Sequence, residues 1–163
     1  MMSGVMRVGV FADSHGDRLA LKEAMRKAGP LDAACFLGDY CKDASVLIDE
    51  GIPTCAVRGN NDFGSDAPGD AFLSLGGVGV FCTHGHRYGV YYSLEKLYCK
   101  AKEQGAAIAL FGHTHRPLLD NIGGILMLNP GSVAEPRGNF APTFAILEIR
   151  DGKVDPKIEY VYK

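Results

Sequence analysis

Apolar positions in this chain come in short runs, each closed by a cluster of glycine and polar residues. Residues 7–12, 33–37 and 52–58 are too short for helices and read as buried strands. Between them, residues 18–28 place Leu19, Leu21, Ala24, Met25 and Ala28 on a helical spacing ended by Gly29-Pro30, and 44–50 form a shorter helix stopped by Gly51. The pattern then changes from alternation to consecutive strands. Residues 71–75 and 78–83 predict a hairpin around Gly76-Gly77, and 94–104 predict a helix with Leu94, Leu97, Tyr98 and Ala101 on one face, ended by Gly105. Residues 107–111 form the next strand. Two further hairpins follow, 118–122 with 125–128 through Gly123-Gly124, and 143–150 with 154–161 through Asp151-Gly152. Strand and helix alternating, then hairpins, predict an α/β fold of two packed sheets with helices outside.

Composition narrows this picture. A length of 163 residues fits one domain over 1–163 with a sizeable core, and 47% hydrophobic against 22% charged residues is ordinary globular usage. The net charge of -2 gives no electrostatic footprint for long nucleic acid, and no run of Lys or Arg predicts an anionic membrane surface. The cysteines, Cys35, Cys41, Cys55, Cys82 and Cys99, are odd in number and show no Cys-x-x-Cys spacing, so reduced buried thiols are expected rather than a disulfide scaffold or thiolate zinc site. With no leader-like start and no apolar run of membrane-spanning length, the chain is expected to be soluble and cytoplasmic. A homo-oligomer is compatible with the sequence.

Chemistry becomes visible at the strand exits. All the histidines (His15, His84, His86, His113 and His115) directly follow apolar runs, at the carboxyl ends of strands where open α/β sheets place ligands. The exits together carry Asp13 and His15, Gly38-Asp39, Asn60 and Asp62, His84, and His113-Thr-His115. This mixture of carboxylate, imidazole and amide oxygen, without sulfur, suits two divalent ions such as manganese, iron or zinc sharing a site. Singly, Asp13 or Asp62 reads as an ordinary turn or cap residue. The set, each member at a strand end and most of them beside glycine, points to a metal centre.

These residues resemble a family, the calcineurin-like metallophosphoesterases, and within it the small single-domain prokaryotic phosphodiesterase branch. The matching blocks are Asp13-Ser-His15, Gly38-Asp39, Gly59-Asn60-Asn61-Asp62, Thr83-His84-Gly-His86 and Gly112-His-Thr-His115, with Asn129-Pro-Gly-Ser132 and Arg137 also similar. The resemblance implies two mixed sheets flanked by helices. It implies one metal held by Asp13, His15, Asp39 and His115, and another held by Asp39, Asn60, His84 and His113, with Asp39 bridging. Manganese is the expected ion, with iron, zinc, nickel and magnesium as alternatives. The implied reaction is in-line attack on a small phosphodiester by a metal-bridging hydroxide. Asp62 or main-chain carbonyls are expected to accept the second N–H of the ligand imidazoles.

One position departs from the family. Many members carry a histidine where this chain has Asn61, and that histidine helps stabilise or protonate the transition state. His86 is the histidine left over once the ligands are assigned. On an extended segment it points the same way as His84, to donate a proton to the leaving group or to hydrogen-bond the phosphate, the alternative being a histidine that only orients the loop. Arg137 is expected on a phosphate oxygen. Asp39, Asn60, Asn61 and His86 are thus the candidate catalytic residues, with Asn61, His86 and Arg137 facing substrate. The other outcomes the resemblance allows are a phosphomonoesterase acting on a nucleotide, sugar phosphate or phosphoprotein, and a non-catalytic metal-binding scaffold resembling the retromer subunit.

Overall fold

The computed structural model describes residues 4–162. Ten strands form two five-stranded sheets. The first has the order β10-β9-β1-β2-β3, built from β1 (Met6–Phe11), β2 (Ala33–Phe36), β3 (Thr54–Ala56), β9 (Thr143–Arg150) and β10 (Lys153–Tyr160). The second has the order β4-β5-β6-β8-β7, from β4 (Asp70–Leu75), β5 (Val78–Thr83), β6 (Ile108–Leu110), β7 (Pro117–Ile122) and β8 (Ile125–Pro130). Both are mixed. β1, β2 and β3 run parallel in one, and β5, β6 and β8 in the other, with antiparallel strands outside them. The helices are α1 (Arg18–Ala28), α2 (Ser45–Asp49) and α3 (Glu95–Glu103).

Strand alternation explains the layering. Val8 and Val10 of β1, Val80 and Cys82 of β5, Ile108 and Leu110 of β6, and Ala145 and Leu147 of β9 point between the sheets and form one core. Their sequence neighbours point the other way. Phe11, Phe36, Phe144 and Ile146 pack under Leu21, Ala24 and Leu47 of α1 and α2, and Phe81, Ala109 and Met127 pack under Leu97 and Ala101 of α3. Central strands are therefore buried on both faces, which is why they read as unbroken apolar runs rather than alternating ones. Each Val, Leu, Ile, Phe or Met among them contributes roughly 1.5–3 kcal/mol when fully removed from water, and each Ala less. The three hairpins turn through Gly76-Gly77, Gly123-Gly124 and Asp151-Gly152, both residues of each pair having positive φ, as two-residue turns matched to strand twist require.

The elements follow the hydrophobic pattern, with shifts at their ends. The strand expected over 52–58 keeps ladder geometry only over Thr54–Ala56, because β3 is an edge strand paired on one side. The helix expected over 44–50 is preceded by a 3₁₀ turn, Cys41–Ala44, that starts from a left-handed Tyr40. β7 lies at an edge with Leu118 and Leu119 exposed. The expectation of buried thiols holds for Cys35 and Cys82, while Cys41 and Cys55 are half-buried and Cys99 is exposed on α3; all are free. Among the described residues, no helix is long and apolar enough to cross a membrane.

The parallel strands fix where chemistry can occur. β1, β2 and β3 end at the same edge of one sheet as β5, β6 and β8 do in the other, so their exit loops meet over the seam between the sheets. The hydrogen bonds confirm it: Asp13 N–H donates to Gly38 O, Gly112 N–H to His84 O, and the Ser132 hydroxyl to Asp13 O, at 3.0, 2.9 and 2.7 Å.

Candidate metal centre

Three exit loops, after β1, β2 and β6, bring Asp13, His15, Asp39 and His115 together, with one potential ligand atom of each within 4.8 Å of all the others. His15 Nε2 lies 3.5 Å from Asp39 Oδ2 and 3.2 Å from His115 Nε2, which in turn is 3.6 Å from Asp13 Oδ1. The ion-pair separations exceed ordinary hydrogen bonds and come within a few tenths of an ångström of donors grouped about one cation, since ligands each about 2.1 Å from an ion stand roughly 3.0–3.4 Å apart. His84 extends the cluster, its Nε2 being 3.5 Å from Asp39 Oδ1 and 3.8 Å from Asp13 Oδ1. The His113 ring sits beside that of His84, centroids 5.1 Å apart.

Two atoms at the centre of this group test whether a cation fits. Asp13 Oδ1 and His84 Nε2 are buried and have no hydrogen-bond partner. Leaving such groups unsatisfied costs about 1–3 kcal/mol each, more for a charge, so a buried orphan pair aimed at one point needs a partner. An oxygen and nitrogen donor set without sulfur fits a borderline or hard divalent ion.

Protonation is arranged to match. His84 Nδ1 lies 2.7 Å from Leu37 O, and His115 Nδ1 lies 2.6 Å from Glu135 O. A carbonyl only accepts, so each Nδ1 carries the proton and each Nε2 turns a lone pair inward. Burial pushes His84 down to about 4 and also lowers His113, His115 and His86, so the imidazoles are neutral and ready to ligate at neutral pH. Burial pushes the Asp13 carboxyl well above its usual range, and nearby Asp39 pushes it further. Burial also acts to raise Asp39, but the His84 and His15 imidazoles and two hydrogen bonds from Asn61 outweigh it and hold that carboxyl below its ordinary value.

The loops reach this geometry through uncommon backbone. Asp13, His15, Asp39, Tyr40, His113 and His115 all have positive φ, between 48° and 73°. Outside glycine this costs roughly 1 kcal/mol or more per residue and is held only where surroundings enforce it. Gly38 allows the approach, since a Cβ there would meet Gly59 N at 2.7 Å and His84 Nδ1 at 2.9 Å.

The remaining sequence-predicted residues fall in different places. Asn60 is exposed on the Gly59–Asp62 turn, and the amide that reaches Asp39 belongs to Asn61, whose Nδ2 and backbone N–H donate to the carboxylate at 2.8 and 3.0 Å. Asp62 accepts no imidazole N–H. It accepts from the backbone of Asp39, Gly59 and Cys41 at 2.9, 2.8 and 2.7 Å, tying two exit loops together, while main-chain carbonyls orient the imidazoles. His86 does lie near the cluster, 5.3 Å from the His84 ring and 6.2 Å from His113, with a buried, unpartnered Nδ1. It arrives there differently from expectation: Gly85 is left-handed and His86 begins a 3₁₀ turn, so the segment is not extended. Arg137 is exposed on a loop that folds back, its N–H donating to His115 O at 3.2 Å and its guanidinium to the Tyr91 hydroxyl.

Asp43 escapes the sequence analysis, and Asn129 is visible there only as part of a matching block without a role. Buried Asp43 accepts the Ser14 hydroxyl at 2.6 Å and Gly16 N–H at 3.0 Å, bracing the Asp13–His15 loop. Its only sequence signal is an acidic residue just ahead of a short apolar helix. Asn129 donates to Gly112 O and to the Thr114 hydroxyl, at 3.1 and 3.0 Å, giving the Asn-Pro-Gly-Ser block a bracing role beneath the His-Thr-His loop.

Comparison with known proteins agrees with this geometry. The sequence model of the calcineurin-like phosphoesterase superfamily domain matches residues 6–152. YsnB of Bacillus subtilis (strain 168), a probable metallophosphoesterase, is 33% identical over 147 residues, covering 90% of this chain and 86% of its own. The phosphodiesterase YfcE of Escherichia coli (strain K12) is 31% identical over 157 residues, covering 90% of this chain and 74% of its own. A solved predicted phosphoesterase from Streptococcus pneumoniae TIGR4 superimposes with a TM-score of 0.84 at 32% identity, covering 98% of this chain and 92% of that one.

Proposed function

We propose that this chain, which belongs to the calcineurin-like phosphoesterase superfamily, is a metal-dependent phosphodiesterase acting on a small phosphodiester. The observation that carries the reading is the orphaned pair Asp13 Oδ1 and His84 Nε2, buried at the middle of a cluster of further ligand groups. In this reading Asp13, His15, Asp39 and His115 hold one divalent ion, and Asp39, Asn60, His84 and His113 hold a second, with Asp39 shared. Manganese is the first candidate, with iron, zinc, nickel and magnesium as alternatives. Two such ions supply a water-derived nucleophile at neutral pH and offset charge gathering on the phosphoryl oxygens.

The chain's own residues do the rest. Leu37 O and Glu135 O hold the His84 and His115 imidazoles in the ligating tautomer. Asn61, with both its donors on Asp39, is a positioning residue for the shared carboxylate. Arg137, anchored through its backbone to His115, binds a non-bridging phosphate oxygen. His86, its ring beside those of His84 and His113, gives a proton to the departing alkoxide when the imidazole is protonated, a role Asn61 cannot take. The free cysteines support a reducing compartment, and the cytoplasm is the proposed location.

Hydrolysis of bis(p-nitrophenyl) phosphate against p-nitrophenyl phosphate, with added manganese, tests this. The diester is expected to turn over faster. A preference for the monoester would make the protein a phosphomonoesterase, and no turnover of either, with metal bound, would leave a scaffold.

A further inference from the structure

Beside the centre lies a cleft of about 430 Å³, within the range of small-molecule sites. It begins where the ligand loop ends. Thr114, between the two loop histidines, is in its wall, and the Tyr91 ring stands edge-on to the His113 ring, centroids 4.8 Å apart. Tyr91 is held in place: its hydroxyl donates to His113 O at 3.2 Å, and the Arg137 guanidinium lies 5.9 Å over its ring. Farther out the wall is aromatic and aliphatic, with Tyr92 94% exposed, Phe140 46% and Leu118 37%. Large apolar groups exposed to water beside the metal-ligand residues form a concave surface of the kind that marks a binding site.

Charge narrows the choice of occupant. No acidic residue lines the cleft and Arg116 does, in a chain whose net charge is -2. Such a surface complements an anion carrying a flat apolar arm. Tyr92 and Phe140 offer π faces, and a guanidinium stacks on aromatic rings as well as attracting phosphate. An aliphatic arm could bury area on the same wall but would gain nothing from ring stacking or from the guanidinium face.

We propose that the cleft receives a planar aromatic arm of the substrate, a nucleobase or an aryl group, while the phosphate lies over the metal-ligand residues. The placement of the phosphate rests on the phosphodiesterase reading; the recognition of the ring does not. Binding to the manganese-loaded protein separates the two. Adenosine 5′-monophosphate against ribose 5-phosphate reads a nucleobase, and phenylphosphonate against methylphosphonate reads a plain aryl ring. The ring-bearing member of at least one pair should bind roughly 5- to 150-fold more tightly, the span of one base–aromatic stack. Phe140→Ala and Tyr92→Ala, both at exposed positions that fold without their rings, should draw that ratio toward one. Equal affinity within both pairs, or a preference unchanged in both variants, overturns the inference. Tight binding of the ringed probe without hydrolysis of any diester would keep the cleft and discard the phosphodiesterase reading.

Discussion

The two halves of the centre are built differently. Around Asp13, His15 and His115, donors already converge on Asp39 within 4.8 Å, two of them buried carboxylates. Around His84 and His113 the donors are looser: His84 reaches Asp39 at 3.5 Å, His113 stands behind it by ring contact, and Asn60 is exposed on its turn. The first half is preorganised, so an ion entering it needs little rearrangement. The second half has an amide still to be turned inward, and it faces His86 and the cleft. On the proposed two-ion reading, tight retention and substrate access would be divided between two sides of one shared carboxylate.

The comparison breaks hardest at the shared residue. Asp39→Asn should deplete metal from both halves and cut turnover by more than the 10²–10⁴-fold that a general acid is worth; metal analysis and diester hydrolysis check it together. Near wild-type turnover would remove Asp39 from its position between the halves. Next in size is His86, on the open side. His86→Ala should lose about 10²–10⁴-fold toward an alkyl ester and far less toward a p-nitrophenyl ester, whose leaving group needs no proton. Equal losses on both would restrict His86 to binding or loop support.

Unequal halves should also load unequally. Manganese titration is expected in two steps, with Asn60→Ala weakening only the later one, by about 10- to 100-fold, and Asp13→Ala abolishing the earlier. A single step of two equivalents would erase the asymmetry. The smallest effect is on stability of the metal-free protein. His84 has its folded pKa depressed to about 4 from 6.5, so the unfolded chain binds that proton more tightly and the contribution, complete above pH 6.5, is lost as pH falls toward 4. Asp13 acts oppositely, since its raised pKa means folding favours its protonated form, and its cost relaxes as pH falls. Asp13→Asn should therefore make the melting temperature fall more steeply between pH 6.5 and 4 than in the parent protein. A parallel or shallower decline would show that the two groups do not oppose each other.

Much of this architecture is legible in the sequence because strands buried on both faces leave unbroken apolar runs, and because Asp13, Asp39, His84 and His113 fall at their ends, the last three beside glycine. Side-chain identity carries that part of the signal. The carbonyls that orient His84 and His115 belong to Leu37 and Glu135, whose side chains have no part in the bond, so no residue type could announce them. Asp62 was visible as a carboxylate but not as an acceptor of backbone N–H, which depends on how two loops cross. Tyr91 and Asp43 act through tertiary contact with segments 22 and 29 residues away, which local periodicity does not report.

The centre also straddles the seam between the sheets. Asp13, His15, Asp39 and Asn60 leave strands of one sheet, and His84, His113 and His115 leave strands of the other. A cation held among them would act as a clasp on the domain's main interface, because its ligand bonds to the two sets of strands together tie the layers to each other. Binding then draws on the same free energy that keeps the layers together, and adds RT ln(1 + [metal]/Kd) to it. A cell starved of the ion would lose more than a catalyst, because the chain itself would open more often along that seam, and the amount of folded protein would follow the supply of metal.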